Sequence, residues 1–218
     1  MPDPGSRGHP IIYPIIDTTI CRARGIDPID LARAALAGGA RLVQIRAKEE
    51  PTADAIAVVE GVLRAAGSVR AKVIVNDRAD IARITGADGV HVGQTDLPVD
   101  AVRAIVGPSA IVGLSTHDRA QIDRALASAA TYIAVGPIFS TDTKDTGYGP
   151  RGLELVAYAA NRGKPVVAIG GITLERAPDV CAAGASAVAV ITDILTGGDP
   201  EARVRAFVQR LPVQPFNV

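Results

Sequence analysis

The sequence predicts an α/β protein folded as a single (β/α)8 barrel of the TIM type. Three observations point there. Short apolar, β-branched runs alternate with Ala-rich amphipathic segments along the whole chain. Such alternation gives parallel strands joined by right-handed helical crossovers. About eight such runs can be counted, which is the barrel's number. The first run ends Asp17-Thr18-Thr19, with no glycine-rich turn. An open doubly wound sheet, the alternative fold, would normally carry a phosphate-binding glycine turn at that place and have fewer strands.

Taken in order, the expected strands are 11–16, 42–45, 73–75, 89–92, 110–114, 132–135, 166–169 and 187–191. Each is rich in Val and Ile, the usual filling of strands buried on both faces. Helical periodicity falls between them, for example at 28–36, 53–66, 98–106, 119–127 and 201–211. Thr173 stands before Leu174-Glu175-Arg176 as an N-cap would, and Asp100 and Glu201 put negative charge near helix starts. Gly39, Gly67, Gly86, Gly107, Gly163 and Gly184 fall where helices are expected to stop. No linker interrupts the series. The expected organisation is one barrel over 11–211, with tails at 1–10 and 212–218.

Composition narrows the function. With 218 residues, 48% hydrophobic but only 3% aromatic, the core must be aliphatic. Lys and Arg total 23 and Asp and Glu 23, a formal charge of +0. That leaves no broad basic field for nucleic acid or an anionic membrane, so phosphate binding must come from a few placed groups. Cys21 and Cys181 make no disulfide framework or metal-ligand spacing, and no apolar run is long enough to span a bilayer. The expectation is a cytoplasmic enzyme. Apolar helical faces turned outward would suit a homodimer, which the sequence leaves open.

A barrel carries its chemistry at the C-terminal ends of its strands. Strand two ends in Gln44, Arg46 and Lys48 at period two, three polar groups on an otherwise apolar strand. Strand three ends Asn76-Asp77, and strand four leads to Gln94-Thr95-Asp96. One carboxylate past each of two adjacent strands suits Mg²⁺, which takes one or two carboxylates and completes its shell with water and phosphate oxygens. The competing readings are Asp77 as a helix N-cap and Asp96 as an Asx turn. Strand five ends Ser115-Thr116-His117. No nucleophile elbow accompanies the serine, so a proton relay or polar contact suits it better, and His117 would simply start the next helix or act as acid or base. A long polar loop follows strand six, from Gly136 to Gly149, with Thr141, Thr143 and Lys144 able to donate to phosphate and glycines able to hinge a lid. Gly170-Gly171 after strand seven and Ile191-Thr192 after strand eight occupy the usual phosphate position of barrels.

These residues stand in the motifs VQIRAK (43–48), VNDRADIA (75–82), GADGVHVGQTDLP (86–98), GLSTH (113–117), GPIFSTDTK (136–144) and AIGGI (168–172). Together, over roughly 12–211, they resemble the thiamine-phosphate synthase family. The resemblance implies a transferase that condenses 4-amino-5-hydroxymethyl-2-methylpyrimidine diphosphate with hydroxyethylthiazole phosphate, releasing pyrophosphate with Mg²⁺. It places Asp77 and Asp96 as metal ligands, and Arg46, Lys48, Asn76 and Lys144 on the diphosphate. Gln44, His91 and Ser115 fall in the pyrimidine region. Thr141, Thr143, Gly171, Ile191 and Thr192 fall about the thiazole phosphate, Thr192 standing where the family often has Ser. Ser115, Lys144 and Arg46 are the implied catalytic groups. The nearest rival is the thiazole tautomerase branch of the same superfamily, which lacks the paired carboxylates and needs no metal. A non-catalytic phosphate sensor would have no use for a metal pair.

Overall fold

The computed structural model describes residues 11–141 and 147–211. The expected tails at 1–10 and 212–218 lie outside the described residues, as do Thr143 and Lys144. Eight parallel strands close on themselves in sequence order: β1 (Ile12–Asp17), β2 (Leu42–Arg46), β3 (Lys72–Asn76), β4 (Gly89–Val92), β5 (Ile111–Thr116), β6 (Tyr132–Val135), β7 (Val166–Ile169) and β8 (Ala187–Val190). β8 pairs with β1 to seal the barrel.

The helices are α1 (Thr18–Ala23), α2 (Pro28–Ala37), α3 (Thr52–Gly67), α4 (Ala79–Thr85), α5 (Val99–Val106), α6 (Arg119–Ala127), α7 (Gly152–Ala159), α8 (Ala177–Ala182) and α9 (Pro200–Arg210). A 3-10 segment at Asp193–Gly198 precedes the last. Aspartates cap several of them: Asp17, Asp27, Asp118 and Asp199 each accept backbone N–H groups of the first turn. Asp100 and Glu201 lie in first turns as expected. Thr173 is not the cap of α8, which starts only at Ala177 with Arg176 at its cap position and no capping side chain. Gly67 is the last residue of α3 and not a stop beyond it. Gly86 does close α4 in a left-handed conformation, φ +70°.

Strand alternation sorts the core into two shells. Side chains such as Ile16, Val43, Val75, Val112, Ile133 and Val188 point outward and bury against the helices. The inward set is smaller and contains Tyr13, Ile15, Leu42, Ile74, Ile111, Tyr132, Val167 and Ala187. Each Val or Ile removed from water stabilises the fold by roughly 1.5–3 kcal/mol. The inward set fills the barrel, so it is a packed floor and not a pore. α9 packs on β1, α2 and the 3-10 segment. Among the described residues no helix is long and apolar enough to cross a membrane.

Candidate active site

Because all strands are parallel, their C-terminal ends share one rim. Among the described residues, two adjoining cavities open at its centre. The smaller, about 50 Å³, is a polar recess at the barrel axis lined by Tyr13, Gln44, Arg46, Asn76, Asp77 and His91. The larger, about 530 Å³, is a cleft over β6, β7 and β8, lined by Ser140, Thr141, Gly171, Thr192 and both Arg24 and Arg176. Ser115, Ile169, Ala189 and Ile191 line both and form the partition between them.

The recess is charged by pairs. Asp17, buried at the end of β1, spends one carboxylate oxygen on capping α1 and uses the other to hold the Arg46 guanidinium. Lys48 lies past the end of β2 and reaches Asp77, Nζ to Oδ2 2.7 Å. Asp77 takes a left-handed φ of +61°, uncommon for a residue with a Cβ and a mark of strain at sites. Its carboxyl group meets that of Asp96. Burial and then this neighbouring carboxyl group push Asp77 above the usual carboxylate range, while Lys48 pulls it down. Asp77 is not a helix cap, since α4 has Arg78 at its cap position and no capping side chain. Asp96 closes its turn backward, not in the forward sense of an Asx turn: its Oδ2 accepts from Gly93 N–H, three residues earlier, at 2.8 Å, and it meets Asp77 as well. Beside them the buried Asn76 Nδ2 has no hydrogen-bond partner among the described residues. Two carboxyl groups and an amide side chain form an oxygen-rich donor set that fits a hard divalent ion. No group of three or more His, Cys, Asp or Glu suited to a metal occurs among the described residues.

Deeper in the recess, polar side chains form a chain of hydrogen bonds. Gln44 Nε2 donates to Tyr13 Oη at 3.0 Å. Tyr13 and Tyr132 share a hydroxyl contact of 3.1 Å, Tyr132 meets His91 Nδ1 at 2.9 Å, and His91 Nε2 meets Ser115 Oγ at 2.8 Å. Burial raises both tyrosines well above the ordinary phenol range, so both remain O–H donors. Gln94 Nε2 holds the Ser115 carbonyl at 2.6 Å.

At the cleft, Gly170 and Gly171 have φ of +102° and +62°. They serve close packing as well as access. A Cβ on Gly171 would lie 2.5 Å from the Ser140 carbonyl oxygen, and one on Gly170 2.5 Å from Pro137 Cα. His117 does not simply begin a helix. It lines the cleft, its Nδ1 donates to the Gly136 carbonyl at 2.6 Å, and its ring stacks on Tyr148. Asp193 ties the end of the cleft together, accepting from Leu174 N–H and from Arg203.

The structure therefore brings Gln44, Arg46, Asn76, Asp77, His91 and Ser115 into one recess, with Lys48 and Asp96 on Asp77. Thr141, Gly171, Ile191 and Thr192 stand about the adjoining cleft. Sequence reading missed Asp17, Tyr13, Tyr132 and Gln94. The rule of reading strand C-termini would have found Asp17. The tyrosines are signalled only by their rarity, four in the chain.

A family model described as thiamine monophosphate synthase matches residues 12–194, all eight strands included. The chain belongs to the thiamine monophosphate synthase family. A thiamine-phosphate synthase of Roseiflexus sp. (strain RS-1) is 42% identical over 94% of this chain and 86% of its own length. One from Anaeromyxobacter dehalogenans (strain 2CP-C) is 45% identical over 82% and 80%. The solved thiamine phosphate pyrophosphorylase of Pyrococcus furiosus superposes with a TM-score of 0.83 at 29% identity, covering 94% of this chain and 96% of that one. 3-Hexulose-6-phosphate synthase, at 18% identity and a TM-score of 0.66, shares the barrel fold alone. Like its family, the chain is a transferase of thiamine biosynthesis.

Proposed function

We propose that this chain joins a pyrimidine diphosphate to a thiazole phosphate, with Mg²⁺, to give thiamine phosphate and pyrophosphate. The observation that carries this reading is the divided site. A charged, polar recess and a roomier cleft meet across Ser115, the arrangement two rings need if they are to be joined at a shared wall.

In the reaction the pyrimidine-methyl C–O bond breaks, the diphosphate leaves with its electron pair, and the thiazole nitrogen forms the new C–N bond. Arg46 and Lys48 are the cations available to the departing charge, with Lys144 on the loop after β6 expected to join them. Mg²⁺ held by Asp77 and Asp96 would neutralise further charge on that leaving group. Gln44 and His91 orient the pyrimidine, and Ser115 offers a hydroxyl to it. Thr141, Gly171, Ile191 and Thr192 hold the thiazole phosphate in the cleft, and the resemblance adds Thr143 to them. With the two rings seated on either side of Ser115, the site would keep water from the reacting carbon. The tautomerase reading gives the Asp77–Asp96 pair no task. A cytoplasmic enzyme meeting small phosphorylated substrates, and neither nucleic acid nor membrane, follows from the same reading.

The test is to mix both substrates with the chain, with and without chelator, and to measure thiamine phosphate. Product should require Mg²⁺. Equal product after chelation would count against the metal, and none under any condition against the reaction.

A further inference from the structure

Two tyrosines inside the barrel have no place in the chemistry above, yet they are wired to it. Tyr13 and Tyr132 are 1% and 0% exposed in an otherwise aliphatic interior. An apolar residue would fill the same space without two buried hydroxyls that each need a partner. Those partners form a continuous series, Gln44–Tyr13–Tyr132–His91–Ser115, whose far end is the wall between recess and cleft. The series is built into the backbone too. A Cβ on Gly113 would lie 2.2 Å from Tyr132 Cζ and 2.4 Å from His91 Nδ1, so β5 must carry glycine there for the two rings to stack at 5.6 Å.

We propose that Tyr13 and Tyr132 are positioning residues that hold His91 as its Nε2–H tautomer and so point the Ser115 hydroxyl hydrogen toward the pyrimidine. The direction follows from one end. The Gln44 amide donates to Tyr13, so the Tyr13 hydroxyl hydrogen goes to Tyr132. Tyr132 in turn donates to His91 Nδ1, which must then be the unprotonated nitrogen. The ring hydrogen sits on Nε2 and is given to Ser115 Oγ. Having accepted there, Ser115 turns its own hydrogen away from His91, to an acceptor such as a pyrimidine ring nitrogen. The opposite polarity, with Ser115 donating to His91, would withhold that hydrogen from the substrate. Hydroxyls this deeply buried do not exchange partners with water, so the setting made at Gln44 is felt at the partition between the two cavities.

This assignment rests on reading the cleft as the place where the rings are joined, but its central test does not. The chain has three histidines, so ¹⁵N-histidine labelling gives a readable spectrum, with His91 assigned by its loss in His91→Asn. The folded, ligand-free chain should show His91 protonated at Nε2 and bare at Nδ1. Tyr132→Phe, which keeps the ring and removes the donor, should shift His91 toward a mixture of tautomers. Tyr13→Phe, one link further away, should shift it less. A wild-type Nδ1–H tautomer would overturn the proposal, as would a spectrum unmoved by Tyr132→Phe. An equal shift from both variants would too, since general loosening would then explain it. In the joining reaction Tyr132→Phe should lower kcat by roughly tenfold, less than the 10²–10⁴-fold of a group that transfers the proton itself, because Tyr132 acts through His91. The KM for thiazole phosphate should stay unchanged. A rise in that KM with kcat intact would mean a structural role only. No product from the wild-type chain would count against the proposed reaction, while the nitrogen spectra would still decide the polarity.

Discussion

Asp17 joins folding to chemistry within one side chain. One oxygen stops α1 from fraying and the other keeps Arg46 at the recess. Asp17→Asn should separate the two roles, because asparagine caps as well as aspartate but carries no charge. The melting temperature should hardly move, whereas KM for the pyrimidine diphosphate should rise about tenfold, equivalent to ~1.4 kcal/mol. Steady-state kinetics beside a thermal melt would check this, and an unchanged or lower KM would mean Arg46 needs no such anchor. The two thiols make a plainer case. Burial, with help from Asp17 and Asp27, pushes Cys21 up to about 11, and burial alone does the same for Cys181. Both groups are neutral below that range. The stability that burying neutral thiols contributes is full below the unfolded thiol value and falls away as pH rises through about 11. Iodoacetamide at pH 8 should therefore leave the folded chain unlabelled and label both cysteines in denaturant, as mass spectrometry would report.

The loops after β6 and β7 work as one piece. Ile138 and Phe139 N–H donate to the carbonyls of Ile169 and Gly170, and the two loops approach so closely that Gly171 admits no side chain. Gly171→Ala would combine a backbone clash with a strained positive φ, a cost of order 1–3 kcal/mol. Since Thr141 stands on one of these loops and Gly171 on the other, KM for the thiazole phosphate should rise roughly tenfold. KM for the pyrimidine diphosphate should stay near its original value. Equal effects on both would show that the recess and cleft do not act separately.

For the molecule as a whole, closure of the barrel matters most. Phe207 of α9, the helix that packs on α2 and on the first strand of the barrel, is fully buried. Phe207→Ala should cost about 3–5 kcal/mol in urea unfolding, and a loss under 1 kcal/mol would mean that α9 is held by its other contacts. The rim makes its own contribution. Mg²⁺ with pyrophosphate at about a hundred times their dissociation constant should stabilise the folded chain by ~2.7 kcal/mol. Asp96→Asn should remove that gain while leaving the unliganded melt almost unchanged. A gain that survives in the variant would put the ion elsewhere.

Much of this molecule can be read from one dimension. Strand periodicity is local, set by alternating Val and Ile against the pleat, so all eight strands were found within a residue or two of their ends. Parallel connection then required every strand C-terminus to share a rim, and Gln44, Arg46, Asn76, Asp77, Ser115 and Thr192 could be named from that alone. What needed three dimensions was contact between distant parts of the chain. The letters around Thr173 suggest a cap, because local sequence does not say where a helix begins; α8 starts only at Ala177. Tyr13 and Tyr132 lie 119 positions apart and touch only because the barrel closes. The meeting of Asp77 with Asp96, and the hold of Asp17 on Arg46, depend on how each strand is staggered against its neighbour. Stagger arises from packing across the whole cylinder and leaves no trace in any single strand.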